Sequence, residues 1–143
     1  MTNDGGTVVN EEMMMMEPGI KGAKTVKVTS ENTAKAYGSG QLEVFATPAM
    51  IALIEQTAWQ SVAGELGEGE GTVGTRVDVS HSAATPLGME VRCETELMEV
   101  DRRRLVFRAQ VFDEAGLVGE GTHERFIIRN EPFLQKANQK KQS

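Results

Sequence analysis

The chain has 143 residues, a length that suits one domain rather than two. It sets 15 basic against 21 acidic side chains and is 39% hydrophobic, so it can bury a core and is not disordered throughout. Lys136, Lys140 and Lys141 sit at the C-terminal end; what precedes them is more acidic still, the wrong sign for a phosphate backbone, and no nucleic-acid partner is expected.

In chain order, residues 1–21 read as a poorly ordered leader. The methionine run Met13–Met16 is flanked by Glu11, Glu12 and Glu17 with no basic segment ahead of it, so it fails as a secretory signal. Weak strand signals follow at Thr25–Thr29 and Leu42–Phe45. Thr47-Pro48 then opens a helix: threonine suits an N-cap, proline the first helical position, and Gly64 stands where the helix should stop. Its apolar residues, including Met50, Leu53, Ile54, Ala58, Trp59 and Val62, spread around most of the circumference, which predicts a helix wrapped by other elements. Four long alternating segments come next, at Thr72–His81, Met89–Val100, Arg103–Asp113 and Leu117–Arg129. The first sets Val73, Thr75, Val77, Val79 and His81 on a dry face. Asp101-Arg102 suits a tight hairpin turn.

One buried helix followed by an antiparallel meander predicts an α+β hot-dog fold, in which an antiparallel sheet wraps around one central helix. That domain is expected to span 22–132, with 133–143 a polar basic tail. A single such sheet leaves an edge strand and part of the helix uncovered, which predicts a homodimer. The longest apolar stretch, Ala49–Ile54, is far short of the roughly 20 residues a bilayer crossing needs, so no membrane span is expected. The lone Cys93 has no disulfide partner, which fits a reducing compartment, and a cytoplasmic location is expected.

Three residues stand out chemically. Glu55 lies mid-helix among apolar residues, where a carboxylate needs a hydrogen-bonding partner or a task as general base or nucleophile. His81 ends its strand on the apolar face, where an imidazole is either a satisfied core residue or a proton carrier. Thr47 is first an N-cap, and a hydroxyl beside a helix N-terminus also suits an oxyanion. Gly69, Gly71 and Gly74 have dinucleotide-fingerprint spacing, but they follow a helix, precede a strand and sit among glutamates, so no phosphate-binding loop is expected. His81 and His123 lack the short partner intervals of zinc sites, so neither metal nor cofactor is expected. Arg102, Arg103 and Arg104 read as a solvated hairpin end, with contact to a ligand phosphate the minor alternative.

Four segments then resemble a known family. Val44-Phe-Ala-Thr47, Gly71-Thr-Val-Gly-Thr75, His81-Ser-Ala-Ala-Thr-Pro-Leu-Gly88 and Gly121-Thr-His-Glu-Arg125 are similar to the fluoroacetyl-CoA thioesterases, which have the hot-dog fold. The likeness runs from about Val44 to Arg129. It implies hydrolysis of a short or medium acyl-CoA thioester at a dimer-interface site, with Thr47, Glu55 and His81 catalytic. It further implies a supporting Arg125, which with Gly74, Gln41 and Phe45 makes the substrate-binding set. Upstream, Ala36-Tyr-Gly-Ser-Gly-Gln-Leu42 holds glycine and glutamine where the fluoroacetate-specific member has lid phenylalanines. An open gate that admits longer acyl groups is the expectation. The alternative is a module that binds acyl-CoA, or another hydrophobic ligand, without cleaving it.

Overall fold

A computed structural model describes residues 16–142. Strand β1 (Lys21–Lys27) is followed by a one-turn helix α1 (Ala34–Tyr37) and the long helix α2 (Thr47–Val62). Strands β2 (Glu70–His81), β3 (Glu90–Asp101), β4 (Arg104–Asp113) and β5 (Gly116–Arg129) then lead into helix α3 (Asn130–Asn138). The five strands form one antiparallel sheet in the order β1-β3-β4-β5-β2. It curls around α2, which is the hot-dog arrangement expected.

Alternation on the central strands aims Val91, Cys93 and Leu97 of β3 and Leu105, Phe107, Ala109 and Val111 of β4 at the helix, all fully buried. Against them α2 packs Met50, Leu53, Ile54, Ala58 and Val62. Gly119 lets β5 approach closely, because a Cβ there would stand 2.6 Å from the Met50 sulfur. Burial pushes the Cys93 thiol up to about 11, so this cysteine is a packing residue and no nucleophile.

As expected of a single sheet, part of the helix is left open: Ile51, Glu55 and Trp59, spaced four apart on one stripe, are only partly covered, with Trp59 44% exposed. Other expectations need correction. No residue of β2 is fully buried, since β2 is an edge strand. A bulge between Gly74 and Arg76 also changes its phase. Thr72 and Gly74 face the helix before it and His81 after it, so the single dry face from Val73 to His81 does not exist. Leu42–Phe45 is not a strand. It makes only isolated bridges, Val44 with Pro86 and Phe45 with Thr33.

At the N-terminal end, residues 1–15, with most of the expected leader and Met13–Met15, lie outside the described residues. Met16 is buried with Ala58, Val62, Leu97 and Leu105, and β1 already starts at Lys21. Its lysines, Lys21, Lys24 and Lys27, line the other edge of the sheet. Helix α3 was not expected; it lies on the surface with Phe133 and Leu134 exposed. Among the described residues no helix is long and apolar enough to cross a membrane. Nor do three or more His, Cys, Asp or Glu gather there as metal ligands.

Candidate active site

The first cluster forms where α2 begins. Ala46, not Thr47, is the N-cap, and it offers no side-chain capping bond. Thr47 is the first helical residue, and its hydroxyl meets His81 Nδ1 at 2.7 Å instead of capping a backbone N–H. Pro48 has no N–H and the Ala46 N–H donates to the Asn32 carbonyl, so among the described residues Thr47 and Ala49 hold the free donors of this positive helix end. Burial lowers the His81 pKa, which favours the neutral imidazole. Its Nε2 is buried and has no hydrogen-bond partner among the described residues. The loop after His81 is held from behind: Thr85, fully buried, donates to Asp113 at 2.7 Å.

The second cluster lies two turns further along α2. The Glu55 Oε2 accepts from Arg125 NH1 at 3.3 Å, while the Glu55 side chain remains 41% exposed. Arg125 is nearly buried and heavily bonded. Its Nε donates to Thr72 Oγ1 at 2.8 Å, NH2 to the Thr72 carbonyl at 3.1 Å, and NH1 also meets His123 Nε2 at 3.1 Å. Burial lowers the guanidinium pKa and Glu55 opposes that shift. His123 is fully buried, its Nδ1 sits 2.8 Å from the Arg76 carbonyl, and burial lowers its pKa. Gly74 borders the same cluster, because a side chain there would collide with the Glu55 carboxylate.

The structure thus joins Thr47 to His81, and Glu55 to Arg125 and Gly74. It does not bring the two groups together within one chain: eight residues of helix separate Thr47 from Glu55, about 12 Å along the axis. Phe45 is buried and lines a cavity of about 260 Å³ beside Thr47 and His81, whose other walls include Ala34, Ser39 and Val44. Gln41 is exposed and does not line it. Sequence reasoning missed Thr72 and the bonding of His123; the glycine-bracketed Gly71-Thr-Val-Gly-Thr75 opposite Arg125 was the available signal.

Comparison with known proteins points one way. The family described as fluoroacetyl-CoA-specific thioesterase matches residues 28–131. A fluoroacetyl-CoA thioesterase of Streptantibioticus cattleyicolor is 44% identical over 98 residues, which cover 68% of this chain and 70% of that protein. The solved structure of the fluoroacetyl-CoA thioesterase FlK superposes with a TM-score of 0.82 at 37% identity, covering 87% of this chain and 97% of the other. A Thermus thermophilus protein described as a thioesterase superfamily member gives 0.81 at 26% identity, with 88% and 93% covered.

Proposed function

Because the chain belongs to the fluoroacetyl-CoA-specific thioesterase family and is an acyl-CoA thioesterase, we propose that it hydrolyses a short or medium acyl-CoA to free acid and CoA with Thr47, Glu55 and His81. The observation that carries the assignment is the 2.7 Å bond between Thr47 and His81 beside an open cavity at a helix N-terminus. In this reading the carbonyl oxygen faces the free N–H groups of the first turn, where charge on a tetrahedral intermediate is stabilised. Glu55 takes a proton from the attacking water, and as the C–S bond breaks that proton passes by way of His81 to the departing sulfur. If Glu55 adds to the carbonyl itself, CoA leaves first; water then cleaves the acyl–Glu55 anhydride to free acid, and the proton it loses goes through His81 to the CoA thiolate.

This chemistry needs Glu55 near the His81 imidazole, and the helix rise keeps them apart in one chain. A second copy supplies the missing group. The uncovered stripe Ile51, Glu55 and Trp59, the exposed Val77 and the bare edge of β2 support a homodimer. Antiparallel pairing of the two β2 edges about a two-fold axis perpendicular to the helices runs them in opposite directions, an arrangement that lets the start of one α2 lie beside the middle of the other. Arg125 and Gly74 then hold the carboxylate, and Phe45 walls the acyl group.

The test is thiol release across a panel of acyl-CoAs, repeated with E55Q and H81A. Each variant should lose about 100-fold or more of kcat, the usual scale for acid–base groups. Mixing the two after unfolding and reassembly should restore about one active site in four if each site draws on both copies. Full activity in either variant overturns its catalytic role. No restoration on mixing overturns the shared site, and ligand-induced stabilisation without thiol release would make the protein a binding module.

A further inference from the structure

Resting on the reading in which Glu55 is the reacting carboxylate, we propose that His123 is its positioning residue, a neutral imidazole that holds Arg125 in the orientation that presents NH1 to Glu55. The bonding dictates the proton's place. Nδ1 lies 2.8 Å from the Arg76 carbonyl, an oxygen that only accepts, so Nδ1 carries the hydrogen. Nε2 lies 3.1 Å from Arg125 NH1, a group that only donates, so Nε2 must offer its lone pair. Only the neutral Nδ1–H tautomer satisfies both.

The rest of the arrangement serves the same end. NH1 has two hydrogens, one for His123 and one for Glu55 Oε2. Thr72 takes the Nε and NH2 donors and fixes one edge of the planar guanidinium, and His123 holds the other side through NH1, so the fork cannot pivot away from the carboxylate. The imidazole cannot drift: it is fully buried, with the Phe107 ring centroid 6.3 Å away on β4 and the Arg76 carbonyl beyond the bulge of β2 on its other side. Glu55 reaches this network from α2, Gly74 from β2, and the charged neighbours on β5 are Arg125 itself and Glu124, which pairs with Arg104. A protonated imidazole would turn N–H toward N–H beside a guanidinium and break the link.

Nitrogen NMR of histidine-labelled protein reads the tautomer directly, with the His123 signal assigned by its loss in H123Q. At pH 7 it should carry hydrogen on Nδ1 and a bare Nε2; the opposite tautomer or an imidazolium overturns the proposal, and the signal kept in H81A gives the same assignment should H123Q not fold. Kinetics read the consequence. His123→Gln keeps an acceptor near Nε2, whereas His123→Asn keeps only a donor near Nδ1. H123N should lose about tenfold in kcat with little change in KM, the scale for removing a partner that orients a functional group. H123Q should keep most of the activity, and H123N should cost nothing further in an E55Q background. Equal losses in the two variants, or losses that multiply with E55Q, overturn the positioning role alone. Full activity in E55Q removes the catalytic reading of Glu55 together with it.

Discussion

The two ends of the candidate site are held very differently. Around Glu55, Arg125 makes four hydrogen bonds, and both of its other partners, Thr72 and His123, sit on strands of one sheet. At the other end one bond joins Thr47 to His81, and the cavity beside them is walled by the one-turn helix α1, Ser39 and the segment after His81. Strand-borne groups keep a geometry to within fractions of an ångström, while loop walls change shape and sequence at small cost. The carboxylate end therefore holds one geometry, and the cavity end is open to variation.

The largest effect expected from disturbing the rigid end comes from Gly74→Val. Its side chain would occupy the place of the Glu55 carboxylate, so kcat should fall about 100-fold, as for loss of the carboxylate itself, in a thiol-release assay. Melting temperature and oligomeric state followed alongside separate loss of the carboxylate's place from loss of folding or pairing. A G74V enzyme with normal turnover would mean the two ends are equally tolerant.

At the adaptable end, Ser39→Phe should narrow the cavity and leave the carboxylate alone. The ratio of kcat/KM for hexanoyl-CoA over acetyl-CoA should then drop by about tenfold, since each buried methylene is worth up to roughly 0.8 kcal/mol. An unchanged ratio would remove Ser39 from the acyl wall.

The smallest effect is on stability against pH, followed by melting temperature. Both histidines have folded pKa values below the ordinary 6.5, so between that value and the folded one the unfolded chain binds protons that the folded chain does not. Their stabilisation is complete above about 6.5 and is lost as pH falls toward the lowered folded values. H123Q should show a shallower fall from pH 7 to 5 than the native chain. An identical slope would show that His123 does not titrate on unfolding.

The sequence made α2 and the four long strands readable because their signals are local: a Pro-marked helix start and apolar residues at period two. It marks only the end of β1, at Thr25–Thr29, because the Lys-Gly-Ala-Lys start has little apolar alternation, and it hides α3, whose Pro132 and basic residues suggest a tail. For Thr47 local spacing favours a cap, and only the family resemblance points to chemistry. Its actual partner, His81, is 34 residues away, and only the folded sheet brings it near. The bulge at Gly74 moved Thr72 onto the helix side for the same reason. A one-residue irregularity inverts a period-two pattern without altering composition. For His123 nothing local reveals that its two nitrogens face a carbonyl and a guanidinium.

The unequal edges of the sheet bear on how far assembly can proceed. An antiparallel sheet with two bare edges adds neighbours on both sides and grows into a fibre. Here β1 carries Lys21, Lys24 and Lys27 within seven residues, so a second sheet approaching that side meets like charge and a costly loss of hydration. Strand β2 carries no such guard along Gly71–Thr75. Pairing through β2 about a two-fold axis uses up the accepting edge of both copies at once. Were two copies to pair that way, growth would stop after one addition, with the lysines of β1 guarding the opposite edge.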